Sequence, residues 1–467
     1  ELGWVAAEPA HKGKSLGMAV CAAVVNHLLN LGYDEIYLLT DHWRYPALKT
    51  YLKVGFEPRR DGADDRYLWQ KICERLGWQL PEPKKARYVK HPTGEEIAWR
   101  TLNKENVGEP CILSPWCMKR SFFQSLTHRS DIYTAAAPDI VIEAFIRAEA
   151  NLCPQFIMPS PAVEHLAYDP FQAVRDLEAR SNASINQNPS PESPEDLRAI
   201  VEALPDPDRL ERDFNVEAHA EAYAKSIKRL RDMARGEILF ISGFGMPSFM
   251  GGYGWGYVNY LSALALYPET MERYYAYGGE QGRLYNIAVA HAIEKYGLAP
   301  FVYTGDDICY NDGPLCSLEM LDRLYFPHLA RAVQPLHEAG IGIVWHSDGN
   351  ILPIIDRLIN VVGVAGFQGF QEETGCTLER IAEKRTRDGK KLIIWGSVSV
   401  TTTLPFGTVE DVKKDVERCF RIAAPGGGFG LASTSSILPE TPLANILTMF
   451  QHGQNFGREF LKSMPVS

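Results

Sequence analysis

The feature that most constrains this chain is an alternation running from about residue 155 to the C-terminus. Short apolar runs alternate there with amphipathic stretches of ten residues or more. Apolar runs bounded by turn residues read as buried strands, and i, i+3, i+4 spacing reads as helix. Their regular succession is the pattern of a parallel α/β fold. Eight runs fit parallel strands, at 155–159, 183–187, 237–242, 300–304, 342–346, 363–367, 391–395 and 428–432. Helical spacing is clear at 269–296, 318–339, 378–388, 409–423 and 442–460. Eight strands joined by helices predict a (β/α)8 TIM barrel. The run at 183–187 also reads as surface loop, because residues 181–210 are rich in Asn, Pro and Ser.

The first 78 residues alternate on a shorter period. Strands are expected at 3–7, 35–40 and 67–70, with helices at 15–31 and 45–54. Residues 81–85 read as a linker, followed by a hairpin of 87–90 and 96–100 turning at Pro92-Thr93-Gly94. The expected organisation is a partial α/β module (1–78), a linker and hairpin entering the barrel domain (79–130), and the barrel (131–467). The apolar run 18–25, preceded by Lys12 and Lys14, imitates a secretory leader. Asn26 and His27 interrupt it and no small-residue cleavage site follows, so it reads as an amphipathic helix.

Composition narrows the function classes. Apolar residues make up 45% and charged residues 23%, as in ordinary globular chains, which excludes disorder and a disulfide scaffold. The net charge is −10 and no basic patch is written in the sequence, so nucleic acid is not an expected partner. No stretch reaches the roughly 18–20 apolar residues that cross a bilayer. The nine cysteines are scattered and form no C-x-x-C pair, so reduced thiols in a cytoplasmic protein are expected.

In a barrel the chemistry sits at the C-terminal ends of the strands. Those ends carry Ser242, Asp306-Asp307, His346-Ser347-Asp348-Gly349, Gln371-Glu372-Glu373, Ser397, Ser399 and residues 433–436. Acids and a histidine converging from separate strands can bind a metal or move protons. Taken singly, such residues also cap helices. His346, Asp348, Asp307 and Glu372 are the candidate catalytic residues, with His346, Asp348 and Glu372 as candidate ligands of a divalent metal such as zinc. A hydrogen-bonded His-x-Asp pair without metal is the alternative. The loop 243–257 is rich in glycine and aromatics, and could wall a flat ligand or pack as a lid. His328 and His337 read as surface residues, and the charge run 379–391 as a solvated face.

Two stretches carry family resemblances. The turn Ala7-Glu8-Pro9-Ala10-His11-Lys12-Gly13-Lys14-Ser15-Leu16-Gly17 and the string LLTDHWRYPALKTYLKVGFEP resemble the C-terminal half of the GNAT N-acetyltransferase fold. The resemblance implies acetyl-CoA binding through Lys12, Gly13, Lys14, Gly17 and Tyr51, with Tyr51 protonating the departing thiolate. Ser15 stands where a second glycine is usual, and the family's first strands are missing. Since the chain starts at Glu1, either those strands lie upstream in the gene product, or a partner or the hairpin supplies them.

The order VYTGDDICYNDGPLCS, GIVWHSDGN, KLIIWGSVSVTTTLPFGTVEDVKKDVERCF and APGGGFGLASTSSILPETPLANI resembles the uroporphyrinogen decarboxylase superfamily. That superfamily is a TIM barrel comprising porphyrinogen decarboxylases and corrinoid methyltransferases. The arginine-rich segment of the decarboxylases is reduced here to Met118-Lys119-Arg120-Ser121-Phe122, and residues 156–161 end without an acid. The methyltransferases hold zinc with an H-x-C pair and a later cysteine. His346 matches the histidine, while Asp348 and Ser435 stand at the two cysteine positions. The resemblance implies a methyltransferase-type enzyme acting on a small molecule. A corrinoid is then a potential cofactor, with a corrinoid protein and a second copy of the chain as potential partners. An acetyltransferase fused to a separate barrel and a non-catalytic corrinoid or metabolite carrier are the competing readings.

Overall fold

A computed structural model describes residues 16–30, 44–56, 63–79, 92–129, 137–159, 191–249 and 255–464. They fall in two compact units, Glu1–Lys90 and His91–Ser467. Among the described residues no helix is long and apolar enough to cross a membrane.

The first unit shows three helices, Leu16–Asn30, Tyr45–Val54 and Ala63–Leu76. The middle one packs on both neighbours and buries Leu48 and Leu52. It stops at Gly55, whose φ of 109° suits only glycine and turns its amide back to the Tyr51 and Leu52 carbonyls. Residues 67–70, expected as a strand, belong instead to the third helix. Four residues are too few to separate the two periods. The helix shows its own spacing in buried Ile72 and Cys73 and in the Gln70–Glu74 hydrogen bond. Gly17 lies on the first helix, and Tyr51 on the second stacks edge-on against Phe56. Lys12, Gly13, Lys14 and the strands expected at 3–7 and 35–40 lie outside the described residues, as do the linker 81–85 and the hairpin arm 87–90.

The second unit has ten described strands. They are β1 (Cys111–Ile112), β2 (Leu152–Cys153), β3 (Leu239–Phe240), β4 (Phe301–Gly305), β5 (Cys309–Tyr310), β6 (Gly313–Pro314), β7 (Gly342–His346), β8 (Gly366–Gln368), β9 (Ile393–Trp395) and β10 (Phe429–Leu431). A six-stranded parallel sheet runs in the order β1-β10-β9-β8-β7-β4, and β2 and β3 form a separate parallel pair. Single bridges, Leu113 to Leu152 and Ser242 to Val302, link that pair to β1 and β4. The eight parallel strands therefore follow one another as in a TIM-type ring. Two of the junctions are isolated bridges rather than ladders, so the sheet is not closed as one continuous barrel. β5 and β6 make an antiparallel hairpin directly after β4.

Several expectations need correction. Residues 96–100 are not a strand: Gly94–Leu102 is a helix, because Thr93 and Glu96 form a reciprocal capping box. β1 lies in the segment read as linker and hairpin, and at two residues it is too short to show a period. The strand expected at 155–159 sits earlier, at β2, where buried Asn151 ties the Ile112 amide and the Pro110 carbonyl. The run 318–339 is two helices broken at Tyr325, and 378–388 shortens to Leu378–Ala382. The helix Val409–Ala423 falls where its spacing placed it. The run 183–187 lies outside the described residues.

The side-chain alternation of the strands sorts the core in two. Leu113, Leu239, Ile241, Tyr303, Val344, Ile393 and Trp395 form one buried cluster inside the ring. Their chain neighbours Ile112, Phe240, Val302, Ile343, Trp345 and Ile394 join the larger cluster beneath the helices. Each such side chain contributes about 2 kcal/mol on burial. Inside, Trp116 stacks on Tyr303 at 5.7 Å between centroids, and Tyr303 also meets Trp395 at 5.7 Å. Gly430 makes room for them: a Cβ there would lie 2.5 Å from Leu113 Cδ1 and 3.1 Å from Trp395 Cδ1.

Candidate functional site

The same alternation decides which strand-end residues meet. Counting from inward Tyr303 and Val344, the inward positions continue through Gly305 to Asp307, and through His346 to Asp348. Gly305, His346, Gln368 and Trp395 are lateral partners across β4, β7, β8 and β9, so the site begins at one level of the sheet.

Asp307, His346 and Asp348 converge. One ligand atom from each lies within 4.8 Å of the others, and all three residues are half-buried. His346 Nε2 is 3.8 Å from Asp348 Oδ1. The Asp348 amide donates to Asp307 Oδ1 at 2.9 Å, which fixes the two acids relative to each other. Ser435 Oγ donates to Asp348 Oδ2 at 3.4 Å. Burial pushes the Asp348 carboxyl above the usual range and Asp307 adds to this, whereas His346 and the Ser435 hydroxyl oppose it.

His346 is oriented from behind. Its Nδ1 faces the Gln368 carbonyl at 3.2 Å, so a proton on Nδ1 leaves the Nε2 lone pair turned to the acids. Gln368, fully buried, receives the Tyr303 hydroxyl at 2.7 Å and donates to the Ser433 and Thr434 carbonyls. The next residue, Gly369, has a φ of 75°, and a Cβ on it would lie 2.4 Å from the Thr434 carbonyl and 2.9 Å from His346 Nδ1. Only glycine lets the chain cross the ring this closely. Neither Gln368 nor Gly369 was singled out from the sequence. The signal was there: Gln368 keeps the inward phase of Gly366, and a glycine directly follows the strand.

Glu372, expected among the ligands, is not brought to the trio. It opens the short helical turn Glu372–Thr374, and its Oε1 accepts from Ser397 Oγ and Arg418 Nη2, both at 2.7 Å. Glu373 is held by Ser399, Thr401 and Thr402. Burial raises its pKa, but those hydroxyls outweigh it and leave the carboxyl below its ordinary range.

Asp306 takes the outward phase and points away from Asp307. Its Oδ2 accepts from the Phe249 amide and, at 3.4 Å, from the Tyr325 hydroxyl. Burial pushes its pKa up to about 7. The described part of loop 243–257 packs against the helices. Phe249 is fully buried against Tyr260 and Tyr325, and Asn286 pins Gly245 by both backbone groups. His328 and His337 are half-buried rather than on the surface, and His337 Nε2 bonds the Val362 carbonyl at 2.7 Å. The nine cysteines are free, and Cys376 is fully buried with its pKa pushed up to about 11 by burial, as suits a core thiol.

The donor set fits a divalent cation. Two carboxylates and one imidazole gathered from two strand ends offer N/O ligation, and the backbone carbonyl behind the imidazole is the usual support of a metal-bound histidine.

Beside Asp348 a cavity of about 630 Å³ opens at the same end of the ring, lined by Gln371, Thr401, Phe406, Ser435, Glu440 and Thr441 among others. The family model described as Uroporphyrinogen decarboxylase (URO-D) matches residues 184–456, more than half of the chain. The chain belongs to the uroporphyrinogen decarboxylase family. In this URO-D family chain the matched span holds β3 to β10, the trio and the cavity, while β1 and β2 precede it. A methyltransferase from Methanosarcina mazei shares the fold with a TM-score of 0.51. The match covers 78% of this chain and 99% of that one at 17% identity, a likeness of fold alone. No curated protein sequence matches the chain. The acetyltransferase-like portion lies outside the residues that the family model matches.

Proposed function

We propose that this URO-D family chain is a methyltransferase-type enzyme acting on a small molecule, with a divalent cation held by His346, Asp348 and Asp307. The observation that carries the reading is the convergence of these three groups, with His346 Nδ1 turned to the Gln368 carbonyl. A divalent ion bound there would act as a Lewis acid and favour the deprotonated form of a thiol or hydroxyl acceptor.

The chain's own residues set the rest. Gln368 and Gly369 hold the imidazole in one orientation. Asp307 fixes Asp348 through its amide, and Ser435 keeps the second Asp348 oxygen in place. Asp348 and Ser435 replace soft thiolates, so the site favours harder ions than a Cys-rich zinc centre would. The superfamily resemblance supports a corrinoid-bound methyl group as donor. Decarboxylation of a polycarboxylate is less well supported, since among the described residues no Lys or Arg lines the cavity.

The test is elemental analysis of the purified full chain beside its His346→Ala variant. The proposal expects near-stoichiometric divalent metal in the first and at least about a tenfold loss in the second. Equal content in both, or none in either after loading, would refute the metal site.

A further inference from the structure

The cavity beside Asp348 has a one-sided chemistry. Among the described residues its charged lining residues are Asp348 and Glu440, and no Lys, Arg or His lines it. Lys119, which reaches the same loop, spends its ammonium on the Pro439 carbonyl. The opposite wall is apolar, formed by Val400, Pro405, Leu438 and the ring of Phe406, which is 84% exposed. Thr441 is only 2% exposed yet lines the cavity.

These features select by charge. A carboxylate, sulfonate or phosphate seated against Glu440 would lose its water shell beside an acid, with no basic side chain among the described lining residues to repay the cost. A soft cation gains from the Glu440 carboxylate and from the face of Phe406. The volume suits a molecule of modest size with an apolar head.

We propose that this cavity binds a small organic cation, a quaternary ammonium or sulfonium with an apolar head, and rejects organic anions. The proposal rests on the reading of this end of the ring as the reactive site, and it names the substrate class. Phe406 faces the cationic head, Glu440 supplies the rim charge, and Thr441 offers a hydroxyl to a polar tail.

Three probes of equal shape test it: choline, its neutral isostere 3,3-dimethylbutan-1-ol, and the anion 3,3-dimethylbutanoate, each titrated calorimetrically into the full chain. Choline should bind about tenfold or more tighter than the alcohol, and the anion weakest of all. Glu440→Gln and Phe406→Ala should each reduce the choline preference without changing metal content, since neither belongs to the trio. Titrations on chelated protein separate the two readings: a choline preference that persists there supports the cation cavity whatever the metal analysis gives. Equal or tighter binding of the anion, no binding of any probe, or a preference untouched by both variants would overturn the proposal.

Discussion

The two ends of the ring treat charge in opposite ways. At the N-terminal end several charges are spent on structure. Lys391 donates to the carbonyl of Ala423, at the end of the Val409–Ala423 helix, and to those of Pro425 and Gly427 in the turn that follows, and Lys104 donates to the Lys391 carbonyl. Arg458 pairs with Glu109 at 2.7 Å and Arg231 with Glu95 at 2.8 Å. At the C-terminal end Asp307 and Asp348 are held together, with His346 as the one partner of ionisable type that Asp348 is given. Like charges kept close cost stability, and such unfavourable arrangements are concentrated where a ligand will repay them. On the proposed reading, the contrast separates an end built for stability from one built for chemistry, as TIM-type folds generally do.

The largest test of this contrast concerns Asp306, the acid that belongs to the C-terminal end in sequence but to the helix layer in space. Its folded pKa of about 7 lies above its ordinary 3.8. Between those values the unfolded chain has released the proton and the folded chain still holds it. Stability from this group is therefore fully present below about pH 4 and is lost as pH rises toward 7, by up to about 4 kcal/mol. Denaturant melts of Asp306→Asn across that range should lack this slope. An unchanged slope would show that Asp306 is not the buried acid described.

The ends themselves are compared by a pair of substitutions. Lys391→Met leaves these three carbonyls without their donor and should cost about 2–3 kcal/mol in urea unfolding. Asp348→Asn in chelated protein should cost under about 0.5 kcal/mol, or stabilise, because it relieves a repulsion. Costs in the reverse order would remove the distinction between a structural and a chemical end.

How far these ends were legible in the sequence follows from the range of the interactions involved. The helix Val409–Ala423 could be read because periodicity is local, and β4, β7, β9 and β10 because their apolar runs are. β1 has two residues and exists only because β10 pairs with it, so no local pattern announces it. The Thr93–Glu96 box was written in the sequence and misread as a turn, since Thr-Gly serves both. In the site, Asp307, His346 and Asp348 were within reach because each follows its strand with the inward phase. Glu372 was not, because its fate depends on Arg418, 46 positions away. Lys391 sits in a run that reads as solvated, yet the chain folds a helix-end carbonyl onto it. What local pattern carries can be read early; pairings between distant strand ends have to be seen.

The central claim, that the C-terminal end of this URO-D family chain is built around a cation, is tested most directly by anomalous X-ray diffraction at the absorption edge of the ion loaded into the full chain. The account predicts one strong peak within coordination distance of His346 Nε2 and of carboxylate oxygens of Asp348 and Asp307. A peak beside Glu372 instead, or none in the loaded crystal, would contradict it.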